Sequence, residues 1–183
     1  MAATLKSILD KPKLSPQDRK TLRVAIAKDV LKVINPKKRV FQPIRGEYLT
    51  IHFDEGPAVV SSQDQISDLI KQPGANCTGC ALGAMLFSYV RLFNDLTMGK
   101  ASSFHLPRAT RAVSFDANRD TLSRIFSLTE LRKIEAAYEE WNPLTGLRGL
   151  ARAKPSGASN ETRLRRIMSK VARTGSFLTV EEK

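Results

Sequence analysis

The chain has 183 residues, carries a net charge of +12 and is 42% hydrophobic. A chain of this length is expected to form one domain, and its hydrophobic content excludes wholesale disorder. Its two cysteines exclude a disulfide-stapled scaffold, and no apolar run approaches the roughly 18 residues that span a bilayer. The N-terminal segment lacks the apolar stretch of a secretory signal, so we expect a soluble, cytoplasmic protein without membrane association.

The positive charge is concentrated at the two ends of the chain. Residues 1–40 contain 11 Lys and Arg against 3 Asp and Glu, and residues 151–183 contain 8 against 3. The residues between them are close to neutral, with 11 basic against 12 acidic side chains. Because a polyanion responds to the local potential rather than to the average, we expect the basic ends to carry any contact with nucleic acid.

The first predicted helix covers residues 16–34. Ser15 is a suitable N-cap, and Pro16 fits the first helical position. Apolar residues at helical spacing give this helix one buried face, formed by Leu22, Ile26, Val30 and Val33. Residues 1–14 are predicted to be a basic N-terminal arm outside the globular domain at 15–178.

A hairpin and a buried helix are predicted in the middle of the chain. Residues 40–60 are rich in β-branched and aromatic types around a turn at 54–57, which predicts a small β-hairpin. Residues 65–71 predict a short helix. Residues 81–94 are apolar around most of the helix circumference, so we expect this helix to be the central, buried one.

The last third of the chain is predicted to be helical again. An S-x-x-E capping box at 127–130 starts a helix at 128–141. Residues 142–160 contain Gly, Pro and Ser at loop density and predict a mobile loop before helix 161–174. A tail at 179–183 follows. Together these elements predict a mainly α, single-domain helical bundle around the central helix, with one small β-hairpin.

Three segments form motifs of fixed spacing. Residues 77–84 read C-x-x-C-A-L-G-A, and residues 163–177 contain R-L-x-x-I-M followed by G-x-F. Residues 126–141 are similar to F-S-x-x-x-L-x-x-I-E-x-A-F-E-x-W, with Tyr138 at the second phenylalanine. Together the motifs resemble small uncharacterised proteins of tailed phages and their bacterial hosts. The resemblance leaves out residues 1–40; it implies a phage or mobile-element setting and no particular activity.

Cys77 and Cys80 admit chemical interpretations besides packing. A helix N-terminus lowers the pKa of a thiol and would suit a redox dithiol, but residues 70–76 do not read as the strand that precedes a thioredoxin-like motif. A closed zinc site would need two further ligands, and His52 and His105 are the only histidines. A papain-like nucleophile at Cys80 would need a histidine far downstream, and none follows His105. We expect both cysteines to pack in the core and no cofactor to bind.

No motif typical of an enzyme is present in the sequence. It contains no P-loop, no dinucleotide-binding G-x-G-x-x-G, no H-E-x-x-H and no nucleophile elbow. Glu135 and Glu139 lie one helical turn apart, so paired-carboxylate chemistry stays open, although nothing singles it out. We therefore predict a non-catalytic protein.

Basic residues form the predicted functional site. The predicted nucleic-acid-binding residues are Arg163, Arg165, Arg166, Lys170 and Arg173, then Lys37, Lys38 and Arg39, and finally Arg108 and Arg111. The predicted function is that of an accessory protein that binds DNA or RNA through phosphate contacts. One alternative is a phage-type modulator that binds a host or defence protein with an acidic or nucleic-acid-handling surface. Another is a structural zinc or redox C-x-x-C protein.

Overall fold

A computed structural model describes residues 2–35, 40–46, 49–52, 76–93, 122–139 and 157–178, which form a mainly α structure, as predicted. In chain order, the elements within these ranges are α1 (Ala2–Leu9), α2 (Pro16–Val33), β1 (Phe41–Pro43), β2 (Thr50–His52), β3 (Asn76–Gly79), α3 (Ala81–Phe93), α4 (Leu128–Glu139) and α5 (Asn160–Thr174). The predicted helices at 16–34, 128–141 and 161–174 are present, with ends that differ by one or two residues. The predicted helix at 65–71 and the tail at 179–183 lie outside the described residues, as does nearly all of the predicted loop at 142–160.

Helix α3 is the centre of the fold, which confirms the predicted central helix at 81–94. Every residue from Ala81 to Val90 is buried, because the helix is apolar on nearly all sides and packs against α1, α2, α4 and the sheet. The exposed Arg91 reaches α2, where its Nε lies 3.4 Å from a carboxylate oxygen of Asp29. Among the helices of the described ranges, none is both long enough and apolar enough to cross a membrane.

The small sheet has three strands, and two of them, β1 and β2, lie in the predicted β segment at 40–60. Its strand order is β1-β3-β2, so β1 and β2 are not neighbours. Strand β1 is parallel to β3, with Phe41 opposite Cys77, whereas β2 is antiparallel to β3, with Ile51 opposite Cys77. The sequence pattern missed β3 because asparagine and glycine are depleted in strands, and β3 reads Asn-Cys-Thr-Gly. The turn at 54–57 and the returning strand at 58–60 that define the predicted hairpin lie outside the described residues, so the hairpin stays a prediction.

The N-terminal segment also differs from the prediction. Residues 2–14 are part of the domain rather than an arm outside it, because Leu9 and Leu14 are both buried in the core. The Nη2 atom of Arg124 donates hydrogen bonds of 3.0 Å to the carbonyl oxygens of both Leu9 and Lys11. The apolar side chains of this segment pack against α2 and α3.

Side-chain caps define the ends of α2 and α5. The Ser15 hydroxyl accepts the N–H of Asp18, and the Asp18 carboxylate accepts the N–H of Ser15, both at 3.1 Å, so a complete capping box starts α2. The Ser159 hydroxyl accepts the N–H of Thr162 at 3.2 Å and caps α5. Helix α5 ends at Gly175, whose φ of 74° is the left-handed conformation that glycine adopts most readily.

Replacing Leu86 with alanine tests the central position of α3. Leu86 is 1% exposed, so we expect Leu86→Ala to lower the free energy of unfolding by about 2–5 kcal/mol, through lost burial and the cavity left behind. The matched control is Leu128→Ala, because Leu128 is 36% exposed and its truncation is expected to change stability by less than about 0.5 kcal/mol. Urea denaturation measures both, and equal effects would contradict this placement of α3.

Candidate nucleic-acid interface

Helices α2 and α5 pack side by side in opposite directions. At one end of the pair, the side chain of Lys20 on α2 lies against Gly175, just after α5. At the other end, the Nη2 of Arg165 on α5 donates a hydrogen bond of 3.2 Å to the carbonyl oxygen of Ile34, just after α2. The apolar stripes of both helices face the core. The antiparallel arrangement therefore leaves their polar sides to form adjoining strips of the surface.

These two helices carry more than half of the Lys and Arg side chains in the described residues. Together their sequences contain ten Lys and Arg against three Asp and Glu. We define the basic face as six of these cations, three on each helix: Lys20, Lys28 and Lys32 on α2, and Arg166, Lys170 and Arg173 on α5. All are exposed except Lys170, which is half-buried. Within the part of the chain that the structure describes, none of the six side chains donates a hydrogen bond or pairs with a carboxylate.

The cations of the basic face lie in two rows because of their spacing along the helices. Lys20, Lys28 and Lys32 are eight and four residues apart, so they follow an i±4 ridge of α2 that turns by about 120° around the helix between Lys20 and Lys32. Arg166, Lys170 and Arg173 are four and three residues apart and share the outer side of α5. The basic face thus combines three of the predicted binding residues with three lysines of α2. In the sequence, Lys28 and Lys32 form a basic group with Lys37, Lys38 and Arg39, whereas Lys20 does not stand out.

Two predicted binding residues of α5 are engaged within the protein. Arg163 donates hydrogen bonds to the carbonyl oxygens of Tyr138, at 2.8 Å, and Ala158, at 2.7 Å, and it stacks over the ring of Tyr138. Arg165 pairs with Glu161 at 2.9 Å in addition to its bond to Ile34. Both arginines therefore connect α5 to neighbouring segments.

The structure does not describe the other two predicted basic clusters. Lys37, Lys38 and Arg39 lie outside the described residues, and so do Arg108 and Arg111.

A buried carboxylate lies beneath the end of the basic face. The Glu130 side chain on α4 is fully buried, and its Oε1 accepts hydrogen bonds from the Ser176 hydroxyl at 3.0 Å and the Phe177 N–H at 2.6 Å. Its Oε2 lies 3.3 Å from Nη1 of Arg23 on α2. The predicted capping box is therefore half formed, since Ser127 caps the Glu130 N–H at 3.2 Å while the carboxylate turns inward.

Arg23 extends this network to a fourth segment. Its Nε donates a hydrogen bond of 2.7 Å to the carbonyl oxygen of Ile125, and its guanidinium lies 5.5 Å from the ring centre of Phe126. Burial lowers the pKa of Arg23, whereas the charge of Glu130 raises it; an arginine nevertheless stays protonated in proteins. The network thus joins α2, α4, the turn at 122–126 and the C-terminal turn at 175–178.

The C-terminal turn at 175–178 contacts the basic face directly. Phe177, held by Glu130, lies under Lys170, whose ammonium is 4.6 Å from the ring centre. A Cβ atom on Gly175 would collide with the side chain of Lys20. One cation from each helix is therefore packed against a turn that the buried carboxylate holds in place.

The role of Glu130 is not among the predictions from the sequence, although a local signal for it is present. Glu130 precedes Ile134 and Tyr138 by four and eight residues, and both of these are fully buried. A carboxylate on the buried ridge of a helix needs an internal cation or hydrogen-bond donors, because an uncompensated buried charge is costly.

The two cysteines are buried parts of the core. Cys77 lies in β3, so the motif begins within a strand, and Cys80 immediately precedes α3. Of the preceding residues 70–76, only Asn76 is described, and it belongs to β3. Both thiols are free, and burial raises the pKa of each to about 12. At Cys80, the N–H groups of Leu82 and Gly83 lower the pKa as predicted for a helix start, but burial outweighs them. The arrangement favours packing over redox or nucleophilic chemistry.

The four predicted zinc ligands lie only partly within the described residues. His52 is the strand partner of Asn76, whereas Cys77 is the partner of Ile51, and His105 lies outside the described residues. The described part of the chain holds no group of three or more His, Cys, Asp or Glu side chains placed to bind a metal ion.

The carboxylate pair on α4 is also engaged within the protein. Glu139 accepts a hydrogen bond of 3.4 Å from the N–H of Gly46, and burial raises the pKa of Glu139. Glu135 also has a partner.

Comparisons with known proteins give no match: no family model, no curated protein and no solved structure is similar to this chain. The resemblance to phage proteins therefore stays a prediction.

Replacing Glu130 with glutamine tests the buried network. We expect Glu130→Gln to lower the free energy of unfolding by about 2–4 kcal/mol, because it leaves the largely buried guanidinium of Arg23 without its counter-charge. The matched control is Glu161→Gln, since the ion pair of Glu161 with Arg165 is about one-third exposed and such pairs contribute about 0–1 kcal/mol. Denaturant unfolding compares the two variants; equal losses would contradict the network.

Thiol labelling tests the burial of the cysteines. A pKa of about 12 instead of 9.0 leaves about a thousandfold less thiolate, so at pH 8 we expect labelling of the native protein to be at least about 100-fold slower than in denaturant. The pKa of each thiol is higher in the folded state than in the unfolded state, so below pH 9 the neutral, buried thiols favour the folded state. This contribution to stability is lost as the pH rises from 9 toward 12. Equal labelling rates in native and denatured protein would contradict the burial.

Proposed function

We propose that this protein is a non-catalytic accessory protein that binds nucleic acid through the phosphates, with the basic face as its contact surface. The observation that carries the proposal is the pair of cation rows on α2 and α5, whose side chains have no carboxylate partner in the described part of the chain. The resemblance of three motifs to phage proteins supports a phage or mobile-element setting for this activity.

The charge of the basic face favours phosphate groups as its ligand. Each cation that neutralises a phosphate releases condensed counterions, so binding by six cations is expected to weaken with salt, with a log–log slope of up to about −5. Such contacts orient a protein on its ligand but do not read the base sequence. We therefore expect little sequence preference from the basic face.

Rigidity of the supporting helices favours binding. Five of the six cations are exposed, while the stripes beneath them, including Leu22 and Leu164, are fully buried. The rows are therefore held in position before a ligand arrives, which reduces the ordering cost of association.

Charge reversal on α5 tests the proposed function. We expect Arg166→Glu combined with Arg173→Glu to weaken binding of a 20-base-pair DNA duplex about 10–100-fold at 50 mM salt, because two phosphate contacts become repulsive. Fluorescence anisotropy measures the affinity. The control, Lys6→Glu with Arg132→Glu, changes the net charge equally at two exposed sites outside the basic face.

Two results would contradict the proposal. Equal affinities of the α5 variant and its control would indicate that net charge alone matters. A stoichiometric protein complex isolated from host lysate that survives nuclease treatment and the α5 substitutions would favour the alternative, a modulator of another protein.

A further inference from the structure

Lys170 is the one cation of the basic face that packs against an aromatic ring in the described part of the chain. Its Nζ atom lies 4.6 Å from the ring centre of Phe177, within the range of a cation–π interaction. The other five cations have no ring partner among the described residues, and all five are exposed, whereas Lys170 is half-buried. The contact therefore restricts Lys170 more than the other cations.

The position of Phe177 follows from the way α5 ends. Gly175, with its left-handed backbone, turns the chain after the helix. The Phe177 N–H then donates a hydrogen bond of 2.6 Å to Oε1 of the buried Glu130, and the Ser176 hydroxyl donates a second, of 3.0 Å, to the same atom. The ring also packs against the hydrophobic core. Phe177 is thus fixed through its backbone and its side chain before any ligand binds.

A ring holds a cation without neutralising its charge. Elsewhere on the same helix, Arg165 pairs with Glu161, and the carboxylate offsets its charge. The face of a phenylalanine ring attracts an ammonium group but carries no net charge. A lysine ammonium has three N–H donors, and Lys170 donates none of them to a partner within the described residues. Lys170 is therefore restrained and still able to bind an anion.

From these contacts we propose that Phe177 is a positioning residue of the basic face, which holds the ammonium of Lys170 ready for a phosphate. The inference rests on the proposed function and adds to it a residue that is itself uncharged. A side chain that is already restrained loses less conformational freedom when it binds. Loss of the ring is therefore expected to weaken binding about 2–10-fold, the cost of ordering one long side chain.

A double-mutant cycle on the binding of a 20-base-pair DNA duplex tests this role. Fluorescence anisotropy measures the affinities of Phe177→Leu, Lys170→Ala and the double variant, and thermal unfolding checks that each remains folded. We expect Phe177→Leu to weaken binding about 2–10-fold and to have no further effect once Lys170 is replaced by alanine. Phe177→Tyr keeps the ring and is expected to bind as tightly as the wild-type protein.

The matched control repeats Phe177→Leu in an Arg166→Ala background. Arg166 is also a cation of α5 but has no ring contact among the described residues. The loss caused by Phe177→Leu is therefore expected to persist in this background, because independent sites contribute additively.

NMR examines the contact without a substitution at Phe177. With 13C-labelled lysine, and Lys170→Arg to assign the signal, the ε-methylene protons of Lys170 are expected upfield of those of Lys28 and Lys32. The reason is that the ammonium of Lys170 lies over a ring face. Signals at the same position would overturn the inference, even if Phe177→Leu does not fold.

The outcomes separate the inference from the proposed function. Unchanged affinity of Phe177→Leu, or a loss of the same size in the Lys170→Ala background, would overturn the inference. The proposed function would still stand if Arg166→Glu with Arg173→Glu weakens binding. Absence of DNA binding by the wild-type protein would overturn the proposed function itself, and the NMR signal of Lys170 would then still show whether the ring holds it.

Discussion

The ion pair between Glu130 and Arg23 joins parts of the chain that no local interaction holds together. Removing two charges from water costs several kcal/mol per ion, and the cost is offset only when both groups also have good hydrogen bonds. Glu130 obtains two at Oε1, from Ser176 and Phe177, whereas its buried Oε2 has only the ion pair with Arg23. Arg23 obtains one from the carbonyl oxygen of Ile125. Each partner is therefore stable inside the protein only when α2, α4 and the turns at 122–126 and 175–178 are all in place.

This constraint extends to the surface. The C-terminal turn that Glu130 holds lies under Lys170 and against Lys20, which belong to the two rows of the basic face. The same turn ends α5 at Gly175 and so determines where α5 stops alongside α2. The buried ion pair is thereby connected, through this turn, to one cation of each row.

The arginines and lysines divide into two groups with different roles. Arg23, Arg124 and Arg163 donate hydrogen bonds to backbone carbonyl oxygens of other segments and tie the fold together. Arginine suits this role because its planar, always charged group presents five donors in a fixed geometry. Lys28 and Lys32 are exposed instead, and their flexible side chains are suited to contact phosphates as point charges. The net charge of the chain does not show which basic side chains are bonded within the fold and which are exposed.

The sequence by itself determined the mainly α class, the central helix and the bounds of α2, α4 and α5 to within one or two residues. Apolar spacing and caps such as Ser15 are local signals, so they can be read without knowledge of distant contacts. Tertiary structure alone decided the strand order, the docking of residues 2–14 and the inward turn of Glu130. It also separated Arg163, which binds the backbone, from Arg166, which is exposed on the same helix. The physical reason is distance along the chain: Arg23 and Ile125 are 102 residues apart, and Glu130 and Ser176 are 46 apart. Whether such groups meet depends on packing of the whole core, which periodicity within one helix does not encode.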